Sequence, residues 1–178
     1  MIYVLNYAGL SPISAGIQLA TWSRFSHSAI ANKSGLTVEA WHIGGVDLAA
    51  DPWENHTLGT PVIIYSLDIS EAVAARIWDA VCGEIGKKYD FRALAGFIPA
   101  TRWLWRDDSE KWFCSHLSAW ACKKGGYPLF SEQTKLYKIS PGLIDTSSQL
   151  KILGVVTDFK EFRQEVREET EKNTSNTT

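Results

Sequence analysis

The sequence predicts an α+β fold in which a small antiparallel sheet packs against helices. Two short strand-like runs, 26–32 and 36–41, are separated by a turn-forming segment that suits a tight hairpin. Two other segments, 70–86 and 114–124, have the apolar pattern of amphipathic helices. With 178 residues, 45% of them hydrophobic, the chain can bury a real core as a single domain.

Local signals place the elements of the first half in order. The run 2–9 is rich in β-branched and aromatic residues, which predicts a first strand. A helix should follow Ser11, a suitable N-cap, with Pro12 at its first position. The polar, Gly-rich stretch 44–59 predicts a loop, and 61–69 is the clearest buried strand.

The second half carries two helices and a last strand. In the first helix, which Ser70 opens, apolar residues recur at helical spacing until Gly86. The second helix, 114–124, is stopped by two glycines, and 150–159 predicts the last strand.

The composition predicts where the domain ends. Residues 1–160 are expected to form one domain, and 161–178, charged and then rich in Asn and Thr, a partly disordered tail. The N-terminal segment has neither a basic region nor a long apolar run, so no secretion signal or membrane anchor is expected. A cytoplasmic location is the resulting expectation.

Charge and cysteine content argue against several classes of protein. A net charge of −2 argues against a nucleic-acid partner. The three cysteines, Cys82, Cys114 and Cys122, are odd in number and fit no zinc-finger spacing, which argues against a disulfide framework and favours a reducing compartment. No cofactor is expected.

Cys114 stands where an aromatic run meets a predicted helix. At a helix N-terminus, unpaired N–H groups and the helix dipole favour the thiolate, which is the nucleophilic form of cysteine. Free cysteine is also among the most buried residue types, so a packed thiol without function explains this position equally well. Cys82 and Cys122 lie inside helices on apolar stretches, where the packed thiol is the better interpretation.

A nucleophilic thiolate needs a base, and the base needs a group that orients it. Two of the four histidines are set aside. His56 lies in a polar loop and is expected to be solvated, and His116 follows Cys114 by two residues in one helix, where side chains do not face each other. His27 and His42 remain, one on each arm of the hairpin.

Side-chain alternation separates these two histidines. If the loop consists of the three residues 33–35, then His27, Glu39 and Trp41 share one face and His42 points the other way. The Cβ atoms of His27 and Glu39 would lie roughly 5 to 8 Å apart, so the carboxylate can hold one ring nitrogen and leave the other for the thiol. An even loop would break this pairing, and a chance surface pair is the alternative.

Four segments resemble a known family in their order along the chain. "FSHSAI", "VEAW", "GKKYDF" and "WFCSHLSAWA" are similar to the circularly permuted branch of the NlpC-type papain-like hydrolases, the YaeF/YiiX-like amidases. In that branch the histidine strand precedes the cysteine helix, and the triad survives because it depends on space and not on chain order. The resemblance covers roughly residues 1–150, including "ISPGLIDTS", and implies a permuted papain-like fold.

The resemblance implies a Cys-His-Glu triad, with Cys114 as nucleophile, His27 as general base and Glu39 as orienting residue. The residues expected to line the substrate site are Tyr89, Ser115 and Trp41. The chain departs from its relatives where they usually read Cys-Ser-Glu, because it has His116 in place of the glutamate. This departure puts the substrate specificity in doubt, though not the nucleophile.

The predicted activity is that of a cysteine hydrolase, an amidase or peptidase, which cleaves an amide bond through a thioester. Cell-wall peptides are the expected substrate class, in a bacterial or phage-encoded protein. Lipid acyl esters, hydrolysed or used for acyl transfer, are one alternative, and a non-catalytic binding module on the same fold is another. A metal site of Cys114, His116 and His27 is the least favoured, because two ligands in one helix at this spacing suit one ion poorly.

Overall fold

The structure, a computed structural model, describes residues 1–105 and 110–175 and confirms the α+β fold. Its strands are β1 (Ile2–Tyr7), β2 (His27–Asn32), β3 (Thr37–Trp41), β4 (Gly45–Ala49), β5 (Val62–Leu67), β6 (Lys88–Tyr89), β7 (Lys111–Trp112) and β8 (Leu150–Val156). Six of them form one antiparallel sheet in the order β4-β3-β2-β1-β5-β8, while β6 and β7 pair in parallel with each other.

Two of the helices, those that begin at Pro12 and Glu71, start where the capping signals predict. The helices are α1 (Pro12–Thr21), α2 (Glu71–Cys82), α3 (Phe91–Ala95), α4 (Cys114–Lys124), α5 (Pro141–Ile144) and α6 (Phe159–Ser175), with 3₁₀ turns at Pro99–Leu104 and Leu136–Lys138. At the start of α1 the Ser11 hydroxyl accepts the N–H of Ser14 at 3.1 Å, and Pro12 occupies the first turn.

One face of the sheet packs on α2 and α4. Val4, Ile30 and Val38 of the sheet are buried with Ile77 of α2 and Leu117 of α4. Because side chains alternate along a strand, the neighbours of these residues point to the other face.

The opposite face of the sheet forms a second core beneath α6. Ala29 and Ala31 of β2 are buried there together with Leu5 of β1 and with Phe162 and Val166 of α6. The range 161–178, expected as a tail, thus contributes apolar side chains to the second core as far as the structure describes it. The domain boundary at residue 160 stays a prediction.

Two predicted elements need correction. The stretch 44–59 is not a loop throughout, because Gly45–Ala49 forms β4 and pairs with β3. The segment 70–86 is helical only as far as Cys82, and the chain then turns until Gly86, which has a φ of 91°. No helix in the described ranges is long and apolar enough to cross a membrane.

The hairpin between β2 and β3 has the predicted parity. Ile30 lies opposite Val38, and Ala31 lies opposite Thr37. Counting outward in this register, residue 29 faces 39, so His27 and Glu39 are diagonal neighbours on one face of the sheet. That face is the one beneath α6, since Ala29 and Ala31 belong to the second core.

Replacing Gly125 by alanine should destabilise the fold. A Cβ at this position, just after α4, would lie 2.2 Å from Cγ1 of Ile77 and 2.8 Å from its backbone nitrogen. Because α4 and α2 would have to separate, we expect Gly125→Ala to cost about 1–3 kcal/mol of unfolding free energy, measured by denaturant titration. Gly16→Ala is the matched control: nothing lies within 4 Å of that Cβ in α1, so stability should be kept or gain about 0.5–1 kcal/mol. Equal effects of both changes would contradict the packing described here.

Candidate active site

The Cys114 thiol lies at the start of α4, on the helix that packs against the sheet. Phe113 precedes the helix in an extended conformation and provides no side-chain cap, so the N–H groups of the first turn have no capping side chain. Cys114 is buried, and the backbone N–H groups of Ser28 and Ser115 donate to its sulfur. Such donors favour the thiolate over the thiol.

His27, the first residue of β2, connects this thiol to Glu39. Its Nε2 lies 2.6 Å from Oε2 of Glu39, and its side chain is also hydrogen-bonded to Cys114. Because Nε2 is hydrogen-bonded to the carboxylate, Nδ1 is the ring nitrogen that bonds to the sulfur. The structure thus brings the three residues of the predicted triad together in the predicted order of contacts.

Burial and charge oppose each other in the thiol–imidazole pair. Burial favours the neutral ring of His27, but the nearby thiolate of Cys114 and the carboxylate of Glu39 outweigh it and raise the pKa of His27 to about 10. Burial also disfavours the thiolate, but the charge of His27 and the two backbone donors lower the pKa of Cys114. Both directions favour an imidazolium–thiolate pair over the neutral pair.

Glu39 is buried and accepts hydrogen bonds from three side chains. Its Oε2 accepts from Nε2 of His27 and, at 3.0 Å, from Nε2 of His56, while Oε1 accepts from Nδ2 of Asn55 at 2.9 Å. Burial alone would raise the pKa of the Glu39 carboxyl, but the contacts with His27 and then His56 hold it well below its usual range. The carboxylate therefore stays ionised and accepts hydrogen bonds from all three neighbours.

The prediction that His56 is solvated is wrong. Its side chain is only 5% exposed, and its ring stacks on Tyr7 with the centroids 4.0 Å apart. Burial lowers the pKa of His56, so the ring is neutral and uses its Nε2 proton for Glu39. A sequence signal for this residue was present: Trp53, an aromatic residue inside the polar stretch, is buried and anchors the loop to the second core.

Two of the predicted lining residues lie beside the triad. Trp41 is half-buried, and its ring edge packs on His27 with the centroids 5.3 Å apart. Burial and the nearby charge of Cys114 raise the pKa of Tyr89 well above its usual value, so its hydroxyl keeps its proton. Tyr89 is therefore a hydrogen-bond donor near the sulfur.

Ser115, the third predicted lining residue, is fully buried. Its hydroxyl donates to the carbonyl oxygen of Ile139 at 2.6 Å, which ties the start of α4 to the core. The hydroxyl is thus engaged away from any substrate, and Ser115 reaches the site through its backbone N–H.

The remaining histidines lie apart from the triad. His42 packs its ring beside Trp41, and His116 is buried against Trp112, where burial lowers the pKa of His116 to about 4. In the described ranges, the donor atoms close enough to hold one metal ion belong to His27, Glu39 and His56, all within 4.8 Å of one another. The alternative ion site of Cys114, His116 and His27 does not form.

The other two cysteines have the opposite electrostatic setting. Both are free thiols, and burial raises the pKa of Cys122 to about 12 and also raises the pKa of Cys82. Among the described residues, no positive group offsets burial at either thiol, as His27 does at Cys114.

Comparison with known proteins shows a likeness in fold and none in sequence. No family model matches the chain, and no curated protein sequence matches it. The crystal structure of the metalloprotein YiiX from Escherichia coli O157:H7, DUF1105, is similar with a TM-score of 0.64 at 15% sequence identity. The match covers 88% of this chain and 97% of that chain. The fold implied by the resemblance to YiiX-like proteins is therefore confirmed.

Cys114 should be alkylated before the other cysteines and over a wider pH range. A lowered thiol pKa means that thiolate persists at pH values below the usual range for cysteine, whereas the thiolate fraction of Cys82 falls about tenfold for each pH unit. Brief iodoacetamide treatment between about pH 5 and 8, followed by peptide mass spectrometry, measures the three rates.

The control variant for this labelling is His27→Ala. Without the imidazolium, Cys114 should lose its reactivity at pH 6 by at least about tenfold while the labelling of Cys82 stays the same. Equal rates for all three cysteines in the wild type, or a Cys114 that reacts only after unfolding, would identify it as a packed thiol.

Proposed function

We propose that the protein is a cysteine hydrolase that cleaves an amide bond through a thioester on Cys114. The observation that carries this proposal is the chain of contacts from the thiol to His27 and from His27 to Glu39, at the uncapped start of α4. A packed structural thiol needs neither a hydrogen-bonded imidazole nor a buried carboxylate behind it. The similarity to YiiX supports the fold on which this site is built.

In the proposed reaction, the Cys114 thiolate attacks the carbonyl carbon, and the carbonyl π electrons move to the oxygen. N–H groups at the start of α4 would hold this oxyanion, since no side chain caps that turn. Collapse expels the amine, which takes a proton from Nδ1 of His27 and leaves the acyl group on sulfur. Water then attacks the thioester, giving its proton to Nδ1, and the acid leaves as the thiolate returns.

Glu39 has the role of an orienting group in this reaction. Its bond to Nε2 keeps the ring of His27 in the orientation that offers Nδ1 to the sulfur, and its charge stabilises the imidazolium. His56 and Asn55 in turn fix the carboxylate, so they act through Glu39 and not on the substrate.

The proposed substrate class is a peptide amide, with cell-wall peptides as the first choice. An acyl ester is the second candidate, because the same thioester chemistry accepts an alcohol as leaving group. The exposed ring of Phe91, which packs edge-on against the ring of Tyr89, would suit an acyl chain. A panel that contains both substrate types separates these candidates.

Loss of either member of the reacting pair should abolish turnover. Cys114→Ala removes the covalent step and His27→Ala removes the proton carrier, so each should lower kcat by at least about a thousandfold, because members of such a unit fail together. Glu39→Gln should retain more activity than either, since it affects the orientation and charge of His27 only. Turnover of peptidoglycan peptides and acyl esters measures all three variants.

Cys82→Ala is the matched control, because it removes a thiol from α2 without touching the triad. It should keep wild-type turnover, and Cys114→Ala should keep the wild-type melting temperature to within a few degrees. Full activity in Cys114→Ala would exclude the thioester. A ligand that is bound but never turned over, equally by the wild type and Cys114→Ala, would make the protein a binding module on this fold.

A further inference from the structure

The ring nitrogen of His27 that faces away from Cys114 belongs to a cluster of atoms that can bind a metal ion. Nε2 of His27, Nε2 of His56 and a carboxylate oxygen of Glu39 lie within 4.8 Å of one another, and all three side chains are at least nine-tenths buried. Two imidazoles and one carboxylate are a ligand set that Zn²⁺ accepts. The two N–O distances are 2.6 and 3.0 Å, and tetrahedral binding at zinc bond lengths would open each to about 3.4 Å, a movement of less than 1 Å.

We propose that His27, Glu39 and His56 form a binding site for one divalent cation of the zinc type, and that the bound cation switches off the thiol chemistry. The site contains a formal carboxylate charge and two imidazole nitrogens that can release or relocate a proton. His56 is the residue that distinguishes it from the triad, since it contacts Glu39 but not Cys114 in the proposed reaction.

Two polar atoms close to the three ligands are buried without a hydrogen-bond partner among the described residues. Asp47 lies opposite Glu39 across the β3–β4 pair, and its Oδ1 is buried without a hydrogen-bond donor among the described residues. The Tyr7 hydroxyl, on a ring that stacks on His56, is likewise buried and unpartnered within the described part of the chain. Two unsatisfied polar atoms beside a two-histidine, one-carboxylate cluster suit a cation that carries a water ligand.

His56, the outermost of the three ligands, borders a surface groove. The groove has a volume of about 600 Å³, and its wall also carries the carboxylates of Asp51, Glu54 and Asp158. These negative charges attract cations to the groove. The groove borders the start of α6, on the second-core face of the sheet, whereas Cys114 is part of the first core with α4. The groove therefore meets His56 on the face of the sheet opposite the core that contains the thiol.

The inhibitory effect follows from the coordination and rests on the proposed hydrolase function. In the proposed triad the Nε2–H of His27 donates a hydrogen bond to Glu39, and Nδ1 exchanges a proton with the sulfur and the leaving group. A bond between the metal ion and Nε2 of His27 uses the lone pair of that nitrogen, and its proton is released to solvent. The neutral ring of His56 moves its proton from its own Nε2 to its own Nδ1. The Nδ1 proton of metal-bound His27 is then retained, so His27 can no longer accept and return protons.

Metal content tests the site without any substrate. Purified full-length chain, freed of metal by a chelator, is dialysed against ZnCl₂ and analysed for bound zinc, and then titrated with Co²⁺ to record its visible spectrum. We expect one ion per chain, no sulfur-to-cobalt charge-transfer band, and unchanged binding in Cys114→Ala. His56→Gln should weaken binding by at least about tenfold, while His42→Gln, a histidine outside the cluster, should bind as the wild type does.

Each contrary result has a definite meaning. Absence of bound zinc in the wild type, or equal binding by wild type and His56→Gln, overturns the site. Loss of binding in Cys114→Ala places the ion on the thiol and also overturns it. Melting temperatures of the variants, taken without metal, show that lost binding is not lost folding, and Glu39→Gln gives a second ligand test.

The regulatory half has its own measurement, made with any substrate that the wild type turns over. Zinc should inhibit turnover, a chelator should restore it, and the zinc concentration for half inhibition should rise at least about tenfold in His56→Gln, relative to that variant's own rate without zinc. Equal sensitivity of both proteins would assign the inhibition to the thiol and overturn the switch. A protein without turnover on any substrate would refute the hydrolase proposal, while the metal analysis would still decide the binding site.

Discussion

The buried carboxylate of Glu39 is the constraint on which this site depends. An ionised carboxyl group removed from water costs several kcal/mol unless hydrogen bonds and opposite charge compensate for it. Glu39 obtains its compensation from three side chains, His27 in the neighbouring strand and Asn55 and His56 in the loop after β4. The hydrogen bonds that compensate for burial therefore position the loop after β4 as well as the ring of His27. The orientation of that ring toward Cys114 follows from its bond to Glu39.

Much of this arrangement could be predicted from local sequence patterns. Strand side chains alternate with a period of two, so a three-residue hairpin loop is enough to place His27 and Glu39 on one face and His42 on the other. The start of α4 at Cys114 and its end before Gly125 follow from helix propensity and glycine termination. These inferences succeed because each depends on contacts within one helix or one hairpin, at most 12 residues apart in the chain.

The position of His56 could not be predicted in the same way. The chain from Asp51 to Thr60 has no periodic apolar pattern, and its path is set by contacts with partners distant in sequence. The indole of Trp53 donates to the carbonyl oxygen of Thr60, and its ring lies in the second core, which α6 completes from the far end of the chain. A polar composition indicated solvent exposure, but polar residues are buried where a charge such as that of Glu39 requires donors.

His27 connects two faces of one sheet, and this has a consequence for how the protein can be controlled. The thiol comes from α4 and the first core, whereas Glu39 and His56 lie on the face beneath α6. One imidazole nitrogen serves each side, and the two nitrogens are coupled because the occupant of one determines whether the other can exchange a proton. In the proposed reaction, a ligand that competes for Nε2 would therefore act on proton exchange at Nδ1 from the side of Glu39 and His56. Control of this kind requires a histidine that exchanges protons through one ring nitrogen and binds a ligand through the other, and His27 at the start of β2 has a different partner at each nitrogen.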